Sequence, residues 1–159
     1  MPTLTIAVQP PSRARVSTVL HPPLVAELTF KGPLPGYYFF AMALLLTRNG
    51  DIVEGGLAGN TSVTGVDLTA HIGSSRTTIY FPFTDLGVLC EGSFKIRVDV
   101  YKVSYDNPDG CTYQEQTKSS RITVVNEEVP PGNPSESLHS CHLFIRSCAN
   151  KYQALLSVV

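Results

Sequence analysis

The sequence has no excess of positive charge. Its 12 lysines and arginines are offset by 13 aspartates and glutamates, which gives a formal net charge of −1 at pH 7. A chain without a general positive field does not attract nucleic acid over long range. Any affinity for DNA therefore has to come from a local basic patch.

Closely spaced cysteines, a signal peptide and long apolar runs are also missing. The four cysteines form no CxxC pair, which favours reduced thiols in the cytosol or nucleus over a disulfide scaffold. The N-terminus has no basic region followed by a long apolar run, so it does not predict a signal peptide. The longest apolar stretch, residues 37–46, is far shorter than the ~20 residues that span a bilayer.

No group of residues points to catalysis or to a bound metal. His21 and His71 have no serine or cysteine elbow beside them, so we predict no catalytic residues, no substrate and no enzyme activity. Cys141 and Cys148 lie two helical turns apart if their segment is helical, roughly 10 Å along the axis. They then share neither an ion nor a disulfide, and we predict no metal site and no cofactor.

Alternating apolar and polar residues are the strongest structural signal in the chain. In residues 94–100 four apolar side chains alternate with Lys95, Arg97 and Asp99, which is typical of a half-buried antiparallel strand. Leu24, Ala26, Leu28 and Phe30 repeat this period, with polar residues between them. Residues 37–46 do not alternate and predict a central strand that is buried on both faces.

Short strands separated by turns predict an all-β fold. Further strands are expected at residues 66–72, 76–83 and 121–125, with turn-forming sequences between them. No helical pattern intervenes, so the prediction is an antiparallel β-sandwich and not a parallel α/β sheet. The proline-rich residues 9–23 predict an irregular loop, and residues 138–159 have the spacing of an amphipathic helix. We therefore predict a sandwich domain over 1–137 and a separate C-terminal segment over 138–159.

Several short motifs follow one another in order and spacing. The most specific is Phe81-Pro82-Phe83-Thr84-Asp85-Leu86-Gly87-Val88, followed by Glu91-Gly92-Ser93-Phe94-Lys95-Ile96-Arg97. The others are Pro11-Ser12-Arg13-Ala14-Arg15, His21-Pro22-Pro23-Leu24-Val25-Ala26-Glu27-Leu28, Tyr37-Tyr38-Phe39-Phe40 and Leu57-Ala58-Gly59 followed by Val63. Together they resemble the velvet domain of fungal developmental regulators over roughly residues 4–137.

The resemblance implies an immunoglobulin-like sandwich related in shape to the Rel-homology domain. It also implies a nuclear protein that forms homo- or heterodimers with other velvet-domain proteins and contacts double-stranded DNA. In the family the loop after the first strand makes most DNA contacts, and this loop corresponds to Arg13 and Arg15. Lys95 and Arg97, on the polar face of their strand, are weaker candidates for the DNA site.

The chain departs from the family pattern in two places. Residues 16–20 carry no positive charge where the family usually has a basic cluster, which leaves open whether the chain binds DNA alone or with a partner. The family normally has a short helix and a basic final strand where residues 138–159 stand. Their composition differs, which fits either a divergent helix or an altered ending of the gene model.

The sequence as a whole predicts a velvet-type transcription regulator. It would act in the nucleus, with a cytoplasmic pool allowed, and control fungal development, sporulation and secondary metabolism through dimerisation and DNA contact. One alternative is a velvet-type interaction subunit that does not bind DNA itself. A second is a secreted immunoglobulin-like binding domain, suggested by the glycosylation sequon Asn60-Thr61-Ser62 and the even number of cysteines.

Overall fold

The computed structural model describes residues 2–32, 36–67, 75–107 and 109–130. All helices and strands assigned in these ranges are β-strands. No helix there is long and apolar enough to cross a membrane. The strands are β1 (Thr3–Val8), β2 (Arg13–Arg15), β3 (Leu24–Lys31), β4 (Tyr37–Thr47), β5 (Leu57–Ala58), β6 (Ser62–Thr64), β7 (Val66–Asp67), β8 (Arg76–Phe83), β9 (Gly87–Val88), β10 (Gly92–Ser104), β11 (Cys111–Lys118) and β12 (Ile122–Val125). The predicted helix over 138–159 lies outside the described residues.

The strands form two main sheets. The smaller sheet has the order β1-β3-β8-β7, and the larger has the order β2-β12-β10-β4-β6, with β11 also paired to β10. Strands β5 and β9 form a two-stranded ribbon. Neighbouring strands are antiparallel, except that β2 runs parallel to β12. The structure confirms the predicted all-β, immunoglobulin-like antiparallel sandwich.

The hydrophobic core lies between the inner faces of the two sheets. The smaller sheet contributes Leu24, Leu28 and Phe81, and the larger sheet contributes Leu45 and Ile96, all no more than 1% exposed. Burying a side chain of this size stabilises a fold by about 1.5–3 kcal/mol. The inward residues of β3 and β10 are those that the alternating pattern predicts, because successive side chains of a strand point to opposite faces.

Strand β10 is the central element of the larger sheet. It is 13 residues long, and β4 pairs with it along one edge from Phe94↔Thr47 to Ser104↔Tyr37. The other edge is shared, because β12 pairs with residues 92–94 and β11 with residues 97–103. Side chains from three other strands are therefore held in register with this one strand.

The chain passes from the larger sheet to the smaller one at Gly65, between β6 and β7. Its N–H donates a 2.8 Å hydrogen bond to the carbonyl oxygen of Phe39. A Cβ atom at this position would lie 2.4 Å from Cγ2 of Ile79 and 2.8 Å from Cε1 of Phe81. Since both neighbours are buried core residues, a residue without a side chain fits here best.

Two predictions about local structure were wrong. The region 9–23 is not irregular throughout, because Arg13–Arg15 form β2 beside β12, with Ala14 buried between the two arginines. Strand β4 is not buried on both faces, since Tyr37 is 41% and Met42 37% exposed. Periodicity alone does not distinguish a strand covered on both faces from one whose outer face carries exposed apolar residues.

Candidate functional site

The outer faces of the two sheets differ in chemistry. On the smaller sheet the outward positions are mostly polar, and Thr5 donates to Glu27 at 3.2 Å while Thr29 and Thr78 are hydrogen-bonded at 3.4 Å. On the larger sheet the outward positions of β4 are all apolar, and all except the buried Leu46 are at least partly exposed: Tyr38, Phe40, Met42, Leu44 and Leu46. Large exposed apolar surfaces on a single domain mark interaction sites.

Aromatic rings cluster at one end of the outer face of the larger sheet. Phe40 and Tyr101 are direct register partners whose rings stack with centroids 5.1 Å apart. Tyr113 packs edge-on against Tyr101 at 5.9 Å, and Tyr38 contacts Tyr105 at 5.3 Å. Tyr113 and Tyr105 are 51% and 66% exposed. We call this region the aromatic half of the face; it consists of Tyr38, Phe40, Met42, Tyr101, Tyr105 and Tyr113.

Basic side chains occupy the other end of the same face. Arg13 and Arg15 of β2 are in register with Thr123 and Val125 of β12, and Thr123 is in register with Ser93 of β10. Register partners in a sheet share a face, so the two arginines lie on the face from which Lys95 and Arg97 project. Lys118, the register partner of Arg97, completes the set. We call this region the basic half; it consists of Arg13, Arg15, Lys95, Arg97 and Lys118.

An ion pair lies between the two halves. Nη2 of Arg97 donates to Oδ2 of Asp99 at 2.9 Å, and the two side chains are 24% and 7% exposed. Nε of Arg97 and Oδ1 of Asp99 are buried without a hydrogen-bond partner. Buried polar atoms without partners are rare in native proteins because each one carries a desolvation cost. The ion pair therefore holds one donor and one acceptor that are buried and unsatisfied, and Oγ of Ser93 on the same face is also buried without a partner.

The other ion pair that involves the basic half is weak. Nη2 of Arg13 lies 3.8 Å from Oε2 of Glu127, and both side chains are more than half exposed. Exposed pairs of this kind contribute at most about 1 kcal/mol. Arg13 is therefore free to exchange Glu127 for another carboxylate at little cost.

The charges on this face affect the pKa of the Tyr113 phenol. Partial desolvation and then the Asp99 carboxylate raise the pKa of the Tyr113 phenol above its ordinary value of about 10, and Arg97 opposes this shift. Because the folded-state pKa is raised, the folded state holds the phenolic proton more tightly than the unfolded chain. This contribution to stability is complete below pH 10 and is lost as the pH rises through the folded-state pKa.

We predict that Asp99→Asn lowers the pKa of Tyr113 towards 10. The substitution removes the negative charge that disfavours the phenolate while keeping the size of the side chain. The measurement is an alkaline absorbance titration, with Tyr113→Phe in each background used to isolate the signal of this tyrosine. An unchanged pKa would show that Asp99 does not act on the ring.

The structure brings together all four residues that the sequence predicts as site residues. Arg13, Arg15, Lys95 and Arg97 come from two strands yet lie on one face. Sequence reasoning missed the residues beside them, above all Phe40, Met42 and Tyr113. The apolar run of β4 and the pair Tyr101 and Tyr113 on separate strands were the available signals, but only the strand register shows that they meet.

The described residues contain no group of three or more histidine, cysteine or acidic side chains that could hold a metal ion. Within the same part of the chain, Cys90 and Cys111 are free thiols, with Cys90 half-buried and Cys111 exposed. Cys141 and Cys148, which belong to the predicted C-terminal helix, lie outside the described ranges, as does His71.

Comparisons with known proteins give a structural similarity only. No protein-family model matches the chain, and no curated protein matches it. Among solved structures, two of self-complemented MyfA, the major subunit of Myf fimbriae from Yersinia enterocolitica, are similar, one of them in complex with galactose. Each is 10% identical, covers 78% of this chain and has a TM-score of 0.36, and the match spans 98% and 99% of the respective MyfA chains.

This finding contradicts the predicted function. The structural neighbours are fimbrial subunits, so the predictions of a nuclear transcription regulator and of a nuclear or cytoplasmic location were wrong. The same correction applies to control of development, sporulation and secondary metabolism, and to velvet-domain proteins and DNA as partners. At this low similarity the neighbours' own role is not transferred to the chain. The resemblance to the velvet family and the choice of Arg13, Arg15, Lys95 and Arg97 as site residues stay predictions.

Proposed function

We propose that this protein is a non-enzymatic, immunoglobulin-like binding domain that contacts a partner through the outer face of its larger sheet. This is the binding-domain alternative drawn from the sequence, now attached to a specific surface. The observation that carries it is the contrast between the two outer faces: the one on the smaller sheet is mostly polar, whereas the one on the larger sheet carries the cluster of tyrosine, phenylalanine and methionine beside the basic half.

The composition of the face supports an interaction role. Tyrosine and methionine, together with arginine, are enriched in protein interfaces, whereas lysine is depleted there. Tyr113, Tyr105 and Met42 expose large side chains although each is also held by its strand or ring neighbours. A surface whose side chains are already ordered loses little entropy on binding. These residues therefore have the properties of interface anchors.

A rigid sheet also suits binding better than catalysis. The described part of the face carries an ion pair and phenols, with no histidine or cysteine nucleophile set against a base. The phenol of Tyr113 has a raised pKa, so even less of it is present as the nucleophilic phenolate near neutral pH. The side chains on this face can pack and form hydrogen bonds.

The proposal is tested by selecting random peptides that bind the folded domain and mapping where they bind. Met42→Arg places a long charged side chain in the aromatic half, and Thr5→Arg does the same on the outer face of the smaller sheet. Most selected peptides should lose at least ten-fold in affinity for Met42→Arg and bind Thr5→Arg like the wild type. The affinities can be measured by fluorescence anisotropy.

Circular dichroism of both variants checks that they are folded. Peptides that tolerate Met42→Arg, or that lose affinity equally for both variants, would reject the aromatic half as the binding surface.

A further inference from the structure

We infer that the partner is an acidic, partly apolar polypeptide segment, with apolar side chains on the aromatic half and carboxylates on the basic half. This inference rests on the proposed function and specifies the chemistry of the partner. It follows from four properties of the outer face: its local charge, the distance between its two halves, the unsatisfied atoms of its central ion pair, and the contacts that its aromatic rings make with one another.

The charge of the face is opposite in sign to that of the chain. Five cationic side chains lie on it by register, and two carboxylates contact them: Asp99, which is bonded to Arg97, and Glu127, which lies 3.8 Å from Arg13. The whole chain has a net charge of −1, so this face concentrates positive charge that the rest of the molecule offsets. Complementary charge steers association and selects among partners, which here favours a partner with several carboxylates.

The spacing of the two halves sets the length of the segment. Lys95 and Tyr101 are six residues apart on β10, which corresponds to roughly 20 Å along a strand. Arg13 lies two strands away from Ser93, which adds roughly 10 Å across the sheet. A segment of about seven extended residues, or about fourteen helical ones, covers the distance between the halves.

The central ion pair indicates a hydrogen-bonding backbone or amide side chain. Oδ1 of Asp99 accepts no hydrogen bond, and Nε of Arg97 donates none. An amide group offers one donor and one acceptor, which matches the two unsatisfied groups. Both atoms are buried in the free protein, so neighbouring side chains have to shift before a partner atom can reach them.

The aromatic rings favour a polypeptide over a nucleic acid. Phe40 stacks on Tyr101, and Tyr113 is edge-on to Tyr101, so these rings are engaged with one another. Single-stranded nucleic acids are usually held by free ring faces on which bases stack. A second copy of the chain would present the same cations to this face, so charge complementarity favours a different, acidic molecule.

The test uses three labelled twelve-residue peptides and the full chain. The first has an apolar half of leucine, isoleucine and serine and an acidic half of glutamate and aspartate; the second replaces each acidic residue by lysine; the third replaces each apolar residue by serine. We expect the first peptide to bind at least ten-fold more tightly than either control in anisotropy titrations. Its affinity should fall as the salt concentration rises, because exposed charges are screened.

A charge reversal locates the acidic half of the peptide. In the double variant Arg15→Glu and Lys95→Glu, the first peptide should lose at least ten-fold in affinity, and the lysine peptide should gain affinity over its value for the wild type. Lys31→Glu, on the outer face of the smaller sheet, is the matched control and should change neither affinity. Tyr113→Ser should lower the affinity for the first peptide and leave the preference for the acidic over the lysine peptide intact.

The outcomes separate this inference from the proposed function. Equal affinity for the acidic and lysine peptides, or no effect of the double variant, would overturn the acidic partner. Selected peptides that still depend on Met42 would then leave the binding surface standing. Preferential binding of a double-stranded oligonucleotide, or self-association in sedimentation that Met42→Arg abolishes, would also overturn it, since either result assigns the face to another occupant.

Discussion

Phe81→Ala should lower the free energy of unfolding by about 3–5 kcal/mol. Phe81 is completely buried on the inner face of β8, in register with Ala26 of β3. Truncation removes the apolar contacts of the ring and leaves a cavity that a sandwich held by two sheets closes only in part. Since domains of this size are stable by about 5–15 kcal/mol, the loss is a large share of the total. Urea denaturation followed by circular dichroism measures it.

The matched control is Phe40→Ala, the same substitution on the outside of the sandwich. Phe40 is only half-buried, and its main ring contact is the stack on Tyr101. We expect it to cost less than half as much as Phe81→Ala, because solvent fills the space that the ring leaves. Equal losses would mean that the outer face of β4 is covered in the folded protein and is not a surface for a partner.

Gly65→Val should destabilise the protein by about 3 kcal/mol, at the upper end of what overpacking costs. The added Cβ alone would lie 2.4 Å from Ile79 and 2.8 Å from Phe81, and valine adds two methyl groups. Both neighbours are core residues of β8, so the strands have to separate to make room. The midpoint of urea denaturation should fall while the far-ultraviolet spectrum keeps its β character.

The control for Gly65→Val is Thr64→Val at the preceding residue. Thr64 is exposed and is the register partner of Phe40. Valine has the shape of threonine and favours strands, so the stability should change by no more than about 0.5 kcal/mol. A stable Gly65→Val variant would show that the crossing between the sheets adjusts more readily than the packing around it indicates.

The sequence predicts the fold well where the side chains on one face of a strand are polar. Lys95, Arg97 and Asp99 alternate with buried aliphatic residues, and β10 forms as expected. The same rule fails at β4, because Tyr38 and Phe40 point outward yet are as apolar as the buried residues between them. Single-sequence periodicity reports which side chains are apolar, and it does not report what covers them.

The site was predictable only in part. The sequence indicates Arg13 and Arg15 as site residues because no acidic residue is near them in the chain. Their strand β2 has only three residues, however, and depends on its pairing with β12, more than a hundred residues later. That pairing also brings them to the face of Lys95 and Arg97. Such long-range register has no local signal, so the sequence indicates the charged residues without indicating the surface that they share.

The length of β10 has a consequence for how strongly a partner can be held. Since Lys95 and Arg97 of the basic half and Tyr101 of the aromatic half lie on one continuous strand, the distance between the halves does not change when either is occupied. A ligand bound by one half then meets the other at a high effective concentration, provided that its own spacing matches. Two contacts that are each weak can give a tight complex, and a partner with the wrong spacing gains only one of them.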